Sequence, residues 1–115
     1  MAYGTNIIVS EFVWHEVGDL LVGRELDAVR VKGRREPVRI HELMGVGQPT
    51  PDQMALIARH TKALTYYRKQ KWDQAMAAFE ESSPDYVSRM YVERCKRMQE
   101  NPPGSGWDGV YTFTG

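Results

Sequence analysis

Arg24-Glu25-Leu26-Asp27-Ala28-Val29-Arg30-Val31-Lys32-Gly33-Arg34-Arg35-Glu36-Pro37-Val38-Arg39-Ile40-His41-Glu42-Leu43 is the stretch that decides the fold of the first half of the chain. Its first part belongs to a long strand running from Leu20 to Lys32. Successive strand side chains point to opposite faces. Arg24, Leu26, Ala28 and Arg30 therefore share one face, and Glu25, Asp27, Val29 and Val31 share the other. Neither face is purely apolar, so a bulge or break is expected between Glu25 and Ala28. Gly33-Arg34-Arg35-Glu36-Pro37 has the composition of a turn. Val38 to Leu43 is the returning strand, with Val38 and Ile40 on one face. The two strands make a β-hairpin.

Upstream, Thr5 to Val9 is a short β-branched run, read as a buried strand. Ser10 offers a helix N-cap and Glu11 places a negative charge in the first turn. Phe12, Val13 and Val17 give this short helix an apolar face, and Gly18 ends it. The opening residues, Met1 to Thr5, lack the charged and apolar regions of a signal peptide. A chain that enters an apolar strand so soon is expected to be part of a longer protein.

Downstream the period changes from two to that of a helix. Gly45 to Pro49 reads as a linker. Thr50, Pro51 and Gln53 have the spacing of a cap, a first-turn proline and a capping-box partner. Met54, Ile57, Ala58, Thr61, Leu64 and Tyr67 then form one apolar stripe. The pattern resets at Lys69 to Lys71. Trp72, Ala75, Met76 and Phe79 make a second stripe. Ser83 and Pro84 repeat the cap-and-proline signal before a third stripe of Val87, Met90, Tyr91, Arg94 and Met98. Asn101-Pro102-Pro103-Gly104 stops that helix. Trp107, Val110, Tyr111 and Phe113 are too apolar for a free end, so the tail is expected to dock on the helices. The fold class expected is α+β.

Bulk composition narrows the function. The chain has 115 residues, enough for one modest domain. Fifteen Lys and Arg balance 15 Asp and Glu, for a formal net charge of zero. This gives no reason to expect binding to nucleic acid or to a membrane surface. Neutrality favours self-association, and a homo-oligomer is expected. The single cysteine, Cys95, permits neither an internal disulfide nor a cysteine zinc site and suits a cytoplasmic compartment. No apolar run approaches the roughly 20 residues of a membrane span.

The quoted pieces, in order, carry a resemblance. Tyr3-Gly4-Thr5-Asn6-Ile7-Ile8-Val9-Ser10-Glu11 is similar to the late strand and helix start of class III adenylate and guanylate cyclase domains. Arg24-Glu25-Leu26-Asp27, Val29-Arg30-Val31-Lys32-Gly33-Arg34, Glu36-Pro37-Val38 and Glu42-Leu43 continue that pattern. Pro102-Pro103 with Trp107-Asp108-Gly109-Val110 resembles the C-terminal end of bacterial cyclases that carry a CHASE-type sensor and transmembrane helices. Ala63-Leu64, Tyr67, Trp72, Ala75, Phe79 and Pro84 resemble a single tetratricopeptide repeat. That hairpin serves either as packing or as a partner-binding groove, and one copy must find part of its core elsewhere.

The resemblance divides the chain into residues 1–45, the closing strands and short helix of a cyclase catalytic domain; 46–49, a linker; 50–101, a tetratricopeptide-like helical extension; and 102–115, a docked tail. It implies a non-catalytic piece whose parent makes cyclic AMP from ATP in intracellular signalling. The family's metal-binding aspartates, transition-state asparagine and arginine, and base-selecting residues all precede Tyr3 in its pattern. Asp19 and Asp27 do not fall in the metal motifs. The chain alone is therefore expected to hold no catalytic residue, metal or cofactor, while the parent would use Mg or Mn. One role carries over: Lys32, in the Val-Lys-Gly turn, would contact the substrate triphosphate across the parent's dimer interface. Arg34 would be an accessory, and Arg35 would add positive potential. The alternative for these cations is a solvated hairpin tip. The implied partner is the rest of the cyclase domain, in a parent anchored in the inner membrane with this segment on the cytoplasmic side.

His15, His41 and His60 have no metal-site spacing and are read as surface or core histidines. Cys95 has no local base and is read as a packed helical cysteine. Trp72 and Trp107 are read as core. Gly45-Val46-Gly47 lacks the rest of a phosphate loop. Two further readings of the whole are an independent protein-interaction module using the helical hairpin and tail, and a complete small enzyme. The missing carboxylate pair and phosphate loop argue against the last.

Overall fold

A computed structural model describes residues 7–31, 33, 35–82 and 84–113. The fold is mixed α+β. Its described residues form two compact units: a sheet unit of residues 7–51 with 110–113, and a helical unit of residues 52–109.

In the sheet unit, β1 is Ile8–Ser10, α1 is Glu11–Val17, β2 is Leu21–Val31 and β3 is Val38–Val46, with one turn of 3₁₀ helix, Gly18–Leu20, before β2. Strand β4, Tyr111–Phe113, completes an open sheet of order β1-β3-β2-β4 among the described residues. β2 and β3 pair antiparallel, as the alternation and the turn residues require. The expected break is a register shift between Glu25 and Asp27, and a second shift lies between Val22 and Gly23. Leu26, at the first shift, is fully buried, and Leu26 to Val29 are buried in succession, so this stretch of β2 is covered on both faces. The returning strand is longer than expected, running through Gly45 to Val46. β1 pairs antiparallel with β3, and β4 pairs parallel with β2.

Ser10 caps α1 by accepting from Val13 N at 3.3 Å, and the helix stops at Gly18. The inward face of α1 is the expected one only at Val17. Phe12 is 77% and Val13 41% exposed, and the half-buried Trp14 takes their place beside Val17. The cause lies across the unit at Gly23. A Cβ built there would stand 2.6 Å from Trp14 Cζ3 and 2.7 Å from the Glu42 carbonyl oxygen. Glycine within a strand marks such a close approach. Here it clears the room that an indole needs and a phenylalanine at position 12 could not reach.

The helical unit contains α2, Pro51–Arg68; α3, Trp72–Glu80; and α4, Tyr86–Glu100. α2 starts at Pro51, where the sequence places it. Its inward face is His60, Ala63, Leu64 and Tyr67, whereas Met54, Ala58 and Thr61 are exposed, so the expected stripe holds only in the C-terminal half. The α2–α3 turn closes with Lys71 N donating to Tyr66 O and Gln70 N to Tyr67 O, both at 3.0 Å. This pairing puts Gln70 at φ 60°, a left-handed position that costs a residue with a Cβ about 1 kcal/mol. The Gln70 side chain offsets part of this by donating to the Gly104 carbonyl.

Of the second and third stripes, Trp72, Ala75 and Phe79 on α3 and Val87, Tyr91 and Arg94 on α4 are buried as expected, Met76, Met90 and Met98 are half-buried, and Ala78 joins the buried face of α3 unannounced. Ser83 lies outside the described residues, and Pro84 precedes α4 instead of opening it. The cap is Asp85, whose carboxylate accepts from Ser88 N at 3.0 Å and Ser88 Oγ at 2.7 Å. Asp is as good a cap as Ser, and it sits three residues before a serine that can answer it.

Tyr67, fully buried, is the hub of the helical unit. Its ring meets Tyr91 at 5.1 Å, Trp107 at 5.3 Å and Trp72 at 5.7 Å, all edge to face. Phe79 stacks on Tyr91 at 4.7 Å. The tail thus divides its apolar residues: Trp107 docks on the helices, as expected, while Tyr111–Phe113 pairs with β2 as a strand of the sheet.

Gly23→Ala is expected to destabilise the protein by about 1–3 kcal/mol, because the added methyl overlaps both a ring and a backbone carbonyl. Urea unfolding measures this, and an unchanged midpoint would contradict the packing of Trp14 over Gly23.

Candidate functional site

The residues singled out by sequence belong to the segment between β2 and β3. Lys32 and Arg34 themselves fall outside the described residues. Around them, Gly33 has φ +87°, and a Cβ there would meet nothing within 4 Å. The backbone conformation, not crowding, is what calls for glycine at the turn. Arg30 Nε donates to the Arg35 carbonyl at 2.9 Å and so ties the two sides of the tip together. Arg35, Glu36, Pro37 and Val38 line a shallow, open hollow. Further down the hairpin, Arg39 pairs with Glu25 at 3.7 Å at the protein surface.

The body of the hairpin carries the stronger electrostatics. Arg24 Nε donates to Glu42 Oε1 at 2.8 Å, with the Arg24 side chain 2% and the Glu42 side chain 15% exposed. The two residues are direct register partners. Asp27 is buried beside them in sequence, and its Oδ1 accepts from Ala28 N at 2.9 Å, satisfying the donor at the bulge. Buried charge is retained at low cost only when paired and hydrogen-bonded, which this arrangement provides.

The three histidines are placed apart. His15 lies 3.7 Å from Glu11 on the exposed side of α1. His60 is buried, edge-on to Phe79 at 5.9 Å and to Tyr91 at 6.0 Å. His41 is 7% exposed and stacks on Trp14, with centroids 5.1 Å apart and planes within 8°. Neither of its ring nitrogens has a hydrogen-bond partner among the described residues. Burial pushes its pKa below the ordinary 6.5, against the pull of Glu25 and Glu11.

Cys95 is fully buried, and burial pushes its thiol up to about 12, which leaves it protonated and inert at neutral pH. Among the described residues no three His, Cys, Asp or Glu side chains are grouped so as to hold a metal ion. No helix among them is long and apolar enough to cross a membrane. The Arg24–Glu42 pair and the Trp14–His41 stack were not singled out from sequence. Their signals were an arginine on a strand face with Leu26 and a glycine at position 23.

No protein-family model, no curated protein and no solved structure matches this chain.

Glu42 supplies a charge-assisted hydrogen bond to a guanidinium that is almost wholly out of water, so its removal costs more than the loss of a surface contact. Glu42→Ala is expected to cost about 3 kcal/mol, whereas a combined Arg24→Met and Glu42→Leu exchange should stay within about 1 kcal/mol of the parent stability. Denaturant unfolding of both variants checks the contrast, and equal losses would mean that packing, not charge, governs the site.

Proposed function

We propose that this chain is the C-terminal part of a class III nucleotide cyclase, with no catalytic residue of its own. What supports the reading is the order of the quoted pieces. Where they are described, the pieces between Ile8 and Leu43 fall in chain order on β1 and the start of α1, on β2 and on β3, and the three strands share one sheet. In this reading residues 1–45 complete the catalytic domain's sheet. Residues 50–101 are a tetratricopeptide-like extension whose single aromatic hub, Tyr67, serves packing. The parent makes cyclic AMP from ATP with Mg or Mn, and its metal-binding and base-selecting residues lie in the preceding part of the parent. Lys32 contacts the triphosphate and Arg34 supports it. The parent is a homo-oligomer anchored in the inner membrane, with this segment on its cytoplasmic side.

The tie between Arg30 and the Arg35 carbonyl fits this role. It holds residues 30 and 35, on either side of the turn, together. A lysine is well suited to a phosphate as a compact point charge.

A second reading, an independent protein-interaction module, has one observation in its favour. Phe79, Val92 and the stems of Glu80, Arg89 and Glu93 line an apolar hollow of about 210 Å³ between α3 and α4. It would take one apolar side chain of a partner.

The test compares nucleotide turnover, with ATP and GTP in the presence of Mn²⁺, by this chain and by a protein extended N-terminally with a cyclase domain's first half. Activity in the extended protein alone is expected. There, Lys32→Ala should raise KM for the nucleotide by roughly 10-fold or more, the weight of one charged hydrogen bond. Turnover by the 115-residue chain itself would overturn the proposal.

A further inference from the structure

We infer that the Trp14–His41 stack is a pH-sensitive clamp: a proton taken up by His41 releases α1 from the sheet. The geometry has three parts. First, α1 is a seven-residue helix with no fully buried side chain, so its hold on the sheet depends on few contacts. Trp14 is the large one, lying over Gly23 and face to face with His41. Second, His41 is buried under that indole without a hydrogen-bond partner among the described residues for either ring nitrogen. A neutral imidazole tolerates this, but an imidazolium there has two donors and a full charge to satisfy. Third, undocking α1 uncovers the ring and lets water solvate the charge.

The charged groups facing His41 come from three elements. Glu11 and His15 are on α1, Glu25 is its register partner on β2, and Arg39 is on its own strand. The strand β1, Ile8–Ser10, brings no titratable side chain. The two carboxylates favour the proton, His15 and Arg39 oppose it, and burial outweighs them all, so the pKa of the docked state lies below 6.5. The sign follows. The docked state binds fewer protons than the undocked one, so docking is favoured above pH 6.5 and weakens as pH falls toward the lowered value. Below that value the loss is complete. Each unit of depression weakens docking by about tenfold.

The experiment is ¹⁹F NMR of the full chain labelled with 5-fluorotryptophan, titrated from about pH 8 to 5, beside the His41 ring-proton shifts and amide exchange of residues 11–17. The Trp14 resonance is expected to move together with the His41 titration, with a midpoint below 6.5, while Trp72 and Trp107 stay still and exchange in α1 accelerates. His41→Phe, which keeps an aromatic partner but cannot take a proton, should leave Trp14 unresponsive, and His15→Gln should leave the transition in place. A Trp14 signal that stays flat while His41 titrates overturns the inference. So does a transition that survives His41→Phe or vanishes in His15→Gln. If His41→Phe fails to fold, the coincidence of the two midpoints in the unsubstituted protein decides the matter.

Discussion

The pairing of β2 with β3 is the constraint on which the sheet unit rests. β1 and β4 are three residues each and attach to opposite sides of that hairpin. Strands so short contribute few hydrogen bonds and little buried area, so neither can hold a place without the ladder beside it. The ladder in turn is fixed by what lies within it. Arg24 and Glu42 can meet at 2.8 Å only in one register. A slip of one strand by one residue would turn its member of the pair to the opposite face and separate the two charges. The salt bridge therefore specifies register more than it adds stability, a role for which buried pairs are well suited.

The helical unit depends on a different principle. Its order comes from aromatic geometry around Tyr67, where three rings approach edge to face. Ala63 and Ala75, both fully buried, add no bulk to the space these rings fill. Arg94 is held in the same cluster, its guanidinium 4.9 Å over the Tyr91 ring and within 3.4 Å of the Tyr67 hydroxyl. A long cation in a core is tolerated when its flat face lies on a ring and its edge finds an acceptor.

Much of this was legible in the sequence, and the failures have physical reasons. The stripes of α3 and α4 follow from a helical period of apolar residues, the hairpin from two β-rich runs around a turn, and its bulge from an alternation that leaves neither face of β2 purely apolar. In the first half of α2 two stripes compete: Met54, Ala58 and Thr61 lie on one register, Gln53, Leu56 and His60 on another. Both lead into Leu64 and Tyr67, and tertiary packing selects the more polar of them. On α1 the count of apolar residues favoured Phe12 and Val13. Gly23, nine residues away, decided for Trp14. Asp85 displaced the Ser83–Pro84 start because several cap residues stood in a row. The pairing of β4 was beyond local reading, since a parallel partner is set by the whole fold. At the candidate site, turn chemistry placed Gly33 correctly, but nothing local announced that Arg30 would reach across to Arg35.

That parallel pairing bears on how the molecule comes into being. Val29, Arg30 and Val31 pair with Tyr111, Thr112 and Phe113, and the whole of α2, α3 and α4 lies between them in the chain. During synthesis the hairpin is complete long before its last neighbour leaves the ribosome. Over that interval the outer edge of β2 presents unpaired amide and carbonyl groups to any other extended segment nearby. The closing strand thus acts late, as a selvedge that stops the sheet from fraying into its neighbours, and the interval before it arrives is when newly made chains are most liable to misassemble with one another.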